Sequence, residues 1–354
     1  MPFPDALLLV ACAALATAIL IPLLERPALR AGLVDVPGGR KQHEGPVPLI
    51  GGIAMALAFG LCALVLAPGA LGPFRFLFAG VAVLAFVGAL DDMHDLSART
   101  KFAIQTVVVV IAALAGNQVR VLGDLLGLGV IGTSWFAVPF TALAMMAFIN
   151  GLNMIDGVDG LAGTNALVTT LWLAACAAVL GRETELKLLL LLAGALVGFL
   201  AFNLRAPWRK RARVFMGDAG SMAVGFALAW LAVALADPPG GGVPPIVIPW
   251  IIALPFFDLV ATMARRIKHG KNPMAPGRDH IHHLLADLRF NETPIVVILG
   301  LASIVLGAVG FLEWRAEISS QTMFYGFLAC LCAYIGFARW VIRHAATWVT
   351  KVVS

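Results

Sequence analysis

Charge is scarce in this chain. Of its 354 residues only 13% are Asp, Glu, Lys or Arg, 60% are hydrophobic, and the mean hydropathy is +0.93. A soluble globular chain carries about 25% charged and about 45–50% apolar residues, so a water-soluble fold would have nowhere to bury this much apolar surface. Cysteine is also sparse. Cys12, Cys62, Cys176, Cys330 and Cys332 are odd in number, lie in apolar runs and lack metal-ligand spacing, which excludes a disulfide framework. The opening Met-Pro-Phe-Pro-Asp has no positive n-region, so the apolar run from Ala6 is expected to stay in place as a membrane helix instead of leaving as a signal peptide. There is no low-complexity tract and no convincing internal repeat. No polar stretch is long enough for a separate soluble catalytic domain.

What the chain does have is a series of apolar segments of membrane-spanning length. A helix needs about 20 apolar residues to cross the hydrocarbon core. Candidates lie at 6–25, 48–67, 74–90, 102–116, 136–152, 161–180, 185–203, 218–236, 244–264, 294–313 and 322–340. The expected architecture is therefore all-α: one polytopic transmembrane helix bundle of about eleven spans, filling residues 1–354 as a single integral membrane domain. Segment 117–135 is too rich in glycine for a span, and a short hairpin or re-entrant piece is expected there. Alternate loops (26–47, 91–101, 153–160, 204–217, 265–293 and the tail after 338) hold 20 of the 25 lysines and arginines. By the positive-inside rule these loops face the cytoplasm, with the N-terminus outside and the C-terminus inside.

The unusual polar motifs all fall on that cytoplasmic side. Asp91-Asp92-Met93-His94-Asp95 ends the third segment. Carboxylates at a helix C-terminus oppose the macrodipole and repel one another, so they need a cation, either Arg99 and Lys101 nearby or a divalent metal. Asn150, Asn153, Asp156 and Asp159 follow at intervals of three, with Gly157, Gly160 and Gly163 among them. Polar groups at a membrane boundary are costly and point to function, although two Asp-Gly pairs also suit a turn. Asp218, in Phe215-Met-Gly-Asp-Ala-Gly-Ser221, is either a helix N-cap or a metal ligand projecting into a polar site. Arg278-Asp279-His280-Ile281-His282-His283 lies in the largest basic loop. Without a second ligand group nearby, imidazoles touching phosphates fit it better than structural zinc. Arg40-Lys41-Gln42-His43 leads into Gly and Pro residues, as an anion-binding loop or as a basic segment drawn to anionic lipid. Asp258, inside the ninth segment, needs a buried partner, with Arg265 or Arg266 as candidates and a structural role expected. Residues 314–354 offer one span and a basic tail.

In this order and spacing, from about residue 33 to 285, the motifs resemble those of the polyprenyl-phosphate N-acetylhexosamine-1-phosphate transferases, the WecA-type enzymes, with MraY as a more distant relative. The resemblance implies a Mg²⁺-dependent reaction, with Mn²⁺ as the alternative ion. A UDP-N-acetylhexosamine, UDP-GlcNAc above all, gives its sugar-1-phosphate to undecaprenyl phosphate and releases UMP. The lipid-linked product starts O-antigen or another cell-surface polysaccharide. Asp91 and Asp92 match the paired catalytic aspartates, the first acting on the lipid phosphate. Asp218 matches the catalytic Mg²⁺ ligand. Asn153, Asp156 and Asp159 match the nucleotide-pocket segment, where Asp159 would accept from the uracil ring. Lys101 matches a loop lysine near the phosphates, and His280, His282 and His283 match the His-x-His-His motif near the diphosphate and sugar. Lys41, His43 and Arg278 complete the expected substrate-binding set. The resemblance places the protein in the bacterial cytoplasmic membrane with its site on the cytoplasmic face, among membrane lipid, and allows a homodimer; no nucleic-acid partner is expected. The loop before the histidines departs from the pattern. Asn272-Pro273-Met274 and Pro276-Gly277-Arg278-Asp279 stand where Ser-Pro-Phe and Pro-Asp-Arg are common, which bears on the choice of hexosamine. Ile281 between the histidines argues against a UDP-MurNAc-pentapeptide substrate. A membrane transporter and a structural scaffold are the readings of other classes. Transporters gather charge at the bilayer midplane, whereas here it gathers at one face.

Overall fold

The computed structural model describes residues 1, 3–35, 45–236, 241–272, 277 and 279–353, with side chains as far as His344. Lys41, His43 and Arg278 lie outside the described residues. Every one of the eleven apolar segments is helical. The helices are α1 (Phe3–Ala31), α2 (Gly51–Leu66), α3 (Arg75–His94), α4 (Ala98–Leu114), α5 (Ala137–Ile155), α6 (Leu161–Val179), α7 (Glu183–Asn203) and α8 (Gly217–Leu235). After them come α9 (Val247–Ile251), α10 (Ala253–Lys268), α11 (Ile281–Asp287), α12 (Glu292–Arg315) and α13 (Ser320–Val353). Among the described residues eight helices are long and apolar enough to cross a membrane: α1, α3, α5, α6, α7, α8, α12 and α13. With its exposed leucines, this makes the chain an all-α polytopic membrane protein.

The ninth apolar segment is two helices, broken between Ile251 and Ala253. Pro255 lacks the N–H that would bond back to Ile251 and its ring crowds that turn, so the chain bends here. Segment 117–135 forms the expected hairpin, with β3 (Val121–Gly123) antiparallel to β4 (Ile131–Gly132). Thr133 and Thr141 hydroxyls bond the backbone of Val119 and fasten the hairpin to α5. A second short pair, β1 (Val34–Asp35) with β2 (Val47–Pro48), closes the base of the basic loop.

The bundle is organised around α8. Its most apolar stretch is 89% buried, against 22% for α1 and 17% for α13. On α1, Leu7, Leu15 and Leu23 are exposed, as lipid-facing residues are. Lipid tails are as apolar as leucine, so close backbone approach through small residues must hold such helices together. At the first turn of α8 this approach is extreme. A Cβ on Gly52 of α2 would overlap the backbone of Gly220, and one on Gly88 of α3 would overlap the backbone of Ala219. The acidic end of α3 is thereby pressed against the start of α8. The β-strand lead-in is fixed similarly: Phe215 N–H donates to Pro48 O, and Gly51 and Gly52 N–H donate to Phe215 O and Met216 O.

Candidate active site

The helix ends α3, α4, α5 and α8, with α11, surround an open cleft of about 450 Å³, within the size range of small-molecule sites. It is lined by Asp95, Lys101, Asn150, Asn153, Asp156 and Asp218 together with Arg266, His280, His282 and His283.

Helix α3 ends at His94, and Asp95 takes a left-handed conformation (φ 50°) that turns the chain into α4. An i,i+4 spacing would put Asp95 on one helix face with Asp91, but the helix ends one residue before it. Ser97 caps α4, its hydroxyl accepting from Thr100 N–H. This short turn brings Lys101 back onto the end of α3. Its Nζ lies 2.7 Å from Asp91 Oδ2 and 3.0 Å from Asp218 Oδ2, joining carboxylates from α3 and α8. The other Asp91 oxygen accepts from Leu96 N–H at 2.7 Å.

Asp218 is not the cap of its own helix. That place belongs to Asp92, whose oxygens accept from the N–H groups of Asp218 (2.9 Å) and Ala219 (3.3 Å). A carboxylate at a helix N-terminus satisfies orphan donors and complements the macrodipole. Gly217 has φ +68° and lies against the Asp92 carboxylate, so a side chain there would meet both backbone strain and a clash. Freed from capping, Asp218 accepts from Lys101 on one oxygen and from Asn153 Nδ2, at 2.8 Å, on the other. Asn153 also donates to the Ser221 hydroxyl at 2.8 Å.

Helix α5 ends at Ile155, so the polar stripe divides. Asn150 and Asn153 remain on the helix, while Asp156 and Asp159 lie in the turn after it. Asp156 lines the cleft, and its carboxyl is pushed up to about 7 by loss of bulk water, then by the negative charges of Asp218, Asp92 and Asp159. Asp159 turns away. Its Oδ2 accepts from Arg205 Nε at 2.8 Å and from Ala212 N–H at 3.0 Å, and Arg205 also pairs with Glu292 at 2.5 Å. The structure thus leaves Asp159 outside the residues lining the cleft, with Arg205 as partner where the resemblance implies uracil. Asn203 secures the same turn, accepting from Gly160 N–H and donating to Val214 O.

The histidines line the same cleft. His282 is 1% exposed, and neither of its ring nitrogens has a hydrogen-bond partner among the described residues. Burial, then the charge of His283, pushes this imidazole down to about 3. Its Nε2 lies so close to Gly157 that a Cβ there would overlap it. Asp279 pairs with Arg266 at 2.5 Å and with Arg265 at 3.4 Å. Burial pushes its carboxyl up, but the hydrogen bonds and charge of Arg266 and the charge of Arg265 prevail and hold it below the usual carboxylate range. The expected pairing of Asp258 with these arginines does not occur. They lie about two helical turns along the same helix, and Asp258 instead meets His280 from the returning α11 (2.7 Å). Sequence reasoning also missed Gln105, which bonds Asn150 at 3.1 Å and lines the cleft. A lone glutamine in an apolar helix is the signal that could have found it.

Among the described residues no group of three or more His, Cys, Asp or Glu side chains is placed to enclose a metal ion. The donors do fit a hard divalent cation that takes one or two carboxylates and leaves its remaining positions to water and phosphate, as Mg²⁺ does. Asp218 and Asp156 line the same cleft, and after burial the negative charge of Asp218 is the next cause that raises the Asp156 carboxyl.

Fold and site together define an integral membrane protein with a polar cleft, lined by carboxylates, a lysine and histidines, at the ends of its helices. Residues 74–236 match the model of glycosyl transferase family 4. Three curated relatives are named undecaprenyl-phosphate alpha-N-acetylglucosaminyl 1-phosphate transferase. That of Yersinia pestis is 34% identical, covering 81% of this chain and 79% of the relative. That of Escherichia coli strain K12 is 34% identical over 90% of this chain and 87% of the relative. That of Haemophilus influenzae is 32% identical over 91% and 90%. The chain belongs to glycosyl transferase family 4, among its membrane-embedded sugar-phosphate transferases.

Proposed function

We propose that the protein transfers GlcNAc-1-phosphate from UDP-GlcNAc to undecaprenyl phosphate. An oxygen of the lipid phosphate forms a bond to the sugar-bearing phosphorus, the bridge to the uridylyl phosphate breaks, and UMP leaves with the bridging oxygen. The observation that carries this reading is the convergence of Asp218, Lys101, Asp156 and the three histidines on one cleft at the helix ends, in a chain with these relatives. Such a site serves an acceptor whose phosphate is polar and whose tail stays in lipid. Phosphoryl transfer depends mainly on positioning and charge stabilisation, and the cleft offers both.

In this reading Asp218, with Asp156 beside it, holds Mg²⁺, which when bound neutralises the diphosphate charge. Asp91 acts through Lys101: its oxygens accept from Lys101 and from Leu96 N–H, so it orients an ammonium toward the phosphates. A lipid phosphate already anionic near neutral pH needs no base. Asp92 supports Asp218 by capping α8. His282 and His283 meet the diphosphate and sugar, and Asn153 and Asp156 shape the nucleotide side. Lys41, His43 and Arg278 complete the proposed substrate-binding set. We assign the chain eleven spans, with its N-terminus outside and its cleft on the cytoplasmic face of the bacterial inner membrane, at the start of O-antigen or related polysaccharide synthesis.

The test uses purified protein, undecaprenyl phosphate, Mg²⁺ and UDP-GlcNAc, with UDP-GalNAc in parallel and the Asp218→Asn protein beside it. UMP release from UDP-GlcNAc, abolished by EDTA or by the variant, is the expected result. UDP release would mean glycosyl transfer instead, and UMP release from UDP-GalNAc alone would reassign the sugar.

A further inference from the structure

Asp258 is a carboxylate of α10 with 2% exposure, deep in the bundle and outside the segment matched by the family model. Its three contacts all come from donors. Oδ2 lies 2.7 Å from His280 Nδ1, and Oδ1 accepts from Ile281 N–H at 2.9 Å and from the Tyr334 hydroxyl at 2.9 Å. The carboxylate therefore secures the first N–H of α11 and the histidine that precedes this helix with the same side chain. Tyr334 comes from α13, the part of the chain whose sequence held no motif, and its ring packs 5.8 Å from that of Phe257.

The geometry fixes the histidine. An ionised carboxylate only accepts, so Nδ1 carries a proton whatever the charge of the ring. His280 lines the cleft, and Nε2 has no hydrogen-bond partner among the described residues. We propose that Asp258 and Tyr334 are positioning residues that lock His280 in its Nδ1–H form, so that Nε2 is the atom offered to the bound sugar-phosphate. In that form Nε2 accepts from a sugar hydroxyl or, once protonated, donates to a phosphate oxygen. A second ring nitrogen held by a carboxylate is a recurrent way of setting which face of an imidazole works. The C-terminal helix thereby becomes part of the support of the site. The inference rests on the reading of the cleft as the place of phosphosugar transfer, but its structural half can be tested without any turnover.

The decisive variant is Asp258→Asn. Two donors, Ile281 N–H and Tyr334 O–H, point at the Oδ1 position and keep the amide oxygen there. The amide NH₂ then faces His280 Nδ1 and drives the ring proton to Nε2. In ¹⁵N-histidine-labelled protein, with the His280 signals assigned by loss in His280→Gln, the tautomer should switch from Nδ1–H to Nε2–H. With UDP-GlcNAc as substrate, kcat should fall at least about 100-fold while KM stays within about threefold, the pattern of a wrong tautomer in an intact site. Tyr334→Phe removes one of three donors, so it should keep the tautomer and lower kcat about three- to tenfold. Its milder packing change serves if Asp258→Asn fails to fold. An unchanged tautomer in Asp258→Asn, or full activity in Tyr334→Phe, would overturn the proposal. A switched tautomer with unchanged kcat would also overturn it, by removing His280 from the chemistry. If wild-type protein releases no UMP from any UDP-hexosamine, the proposed function fails, while the ¹⁵N measurement still decides the positioning.

Discussion

Lys101 is the residue on which the acidic side of the cleft depends. It lies between Asp91 and Asp218, which are distant in sequence and would repel one another without it. Lys101→Met is expected to destabilise the protein in EDTA by about 1–3 kcal/mol, less than for a fully buried pair because these groups remain partly hydrated. Added Mg²⁺ should recover more of the melting temperature in this variant than in wild type, while UMP release stays lost. His282 gives a pH prediction. Its imidazole falls from 6.5 to about 3 on folding, so the folded chain binds fewer protons between those values and stability falls as pH drops through that window. The slope is at most about 1.4 kcal/mol per pH unit. In detergent, His282→Gln should melt with a flatter dependence on pH between 6.5 and 4 than wild type. The sequence marked Lys101, His282 and Asp218 as site candidates because polar residues are conspicuous in an apolar chain. It offered Lys101 as a cation for the Asp91 cluster but not its pairing with Asp218, since Lys101 and Asp218 are 117 residues apart and only the docking of α3 on α8 brings them together. Asp159 was legible as polar and close in sequence to Asp156, but helix α5 ends between Asn153 and Asp156, and the rotation of the turn sends Asp159 to Arg205.

At the level of elements, the helices were the most legible part, since a run of about 20 apolar residues has few other fates. Their contacts were not legible, because glycine packing between α2, α3 and α8 leaves no periodic hydrophobic signal. The break at Ile252 was foreshadowed by Pro255, but the return of α11 onto α10, which gives Asp258 its partner, had no local signature. The capping of α8 by a residue of α3 makes a prediction at this scale. Asp92→Ala removes the acceptor for two N–H groups and should cost about 0.5–2 kcal/mol in stability. It should lower UMP release more than that loss explains, because Asp218 is the first residue of the turn being capped. Asp92→Asn retains an acceptor and should recover most of the stability. Equal melting temperatures for wild type and Asp92→Ala would show that the cap contributes nothing.

For the whole molecule, charge asymmetry predicts orientation. After replacement of the native cysteines, Leu128→Cys in the exposed hairpin turn between β3 and β4 should react with an impermeant maleimide in intact cells, and Lys268→Cys at the end of α10 only after permeabilisation. The reverse pattern would invert the topology. The cap on α8 also has a consequence for biogenesis. Asp92 is made 126 residues before its backbone partner at Asp218, and Tyr334, the partner of Asp258, emerges after every residue that lines the cleft. A nascent chain halted partway through insertion thus has its carboxylates in the membrane but no cleft to hold them. The support of His280 is therefore complete only when the last helix docks and brings Tyr334 to Asp258.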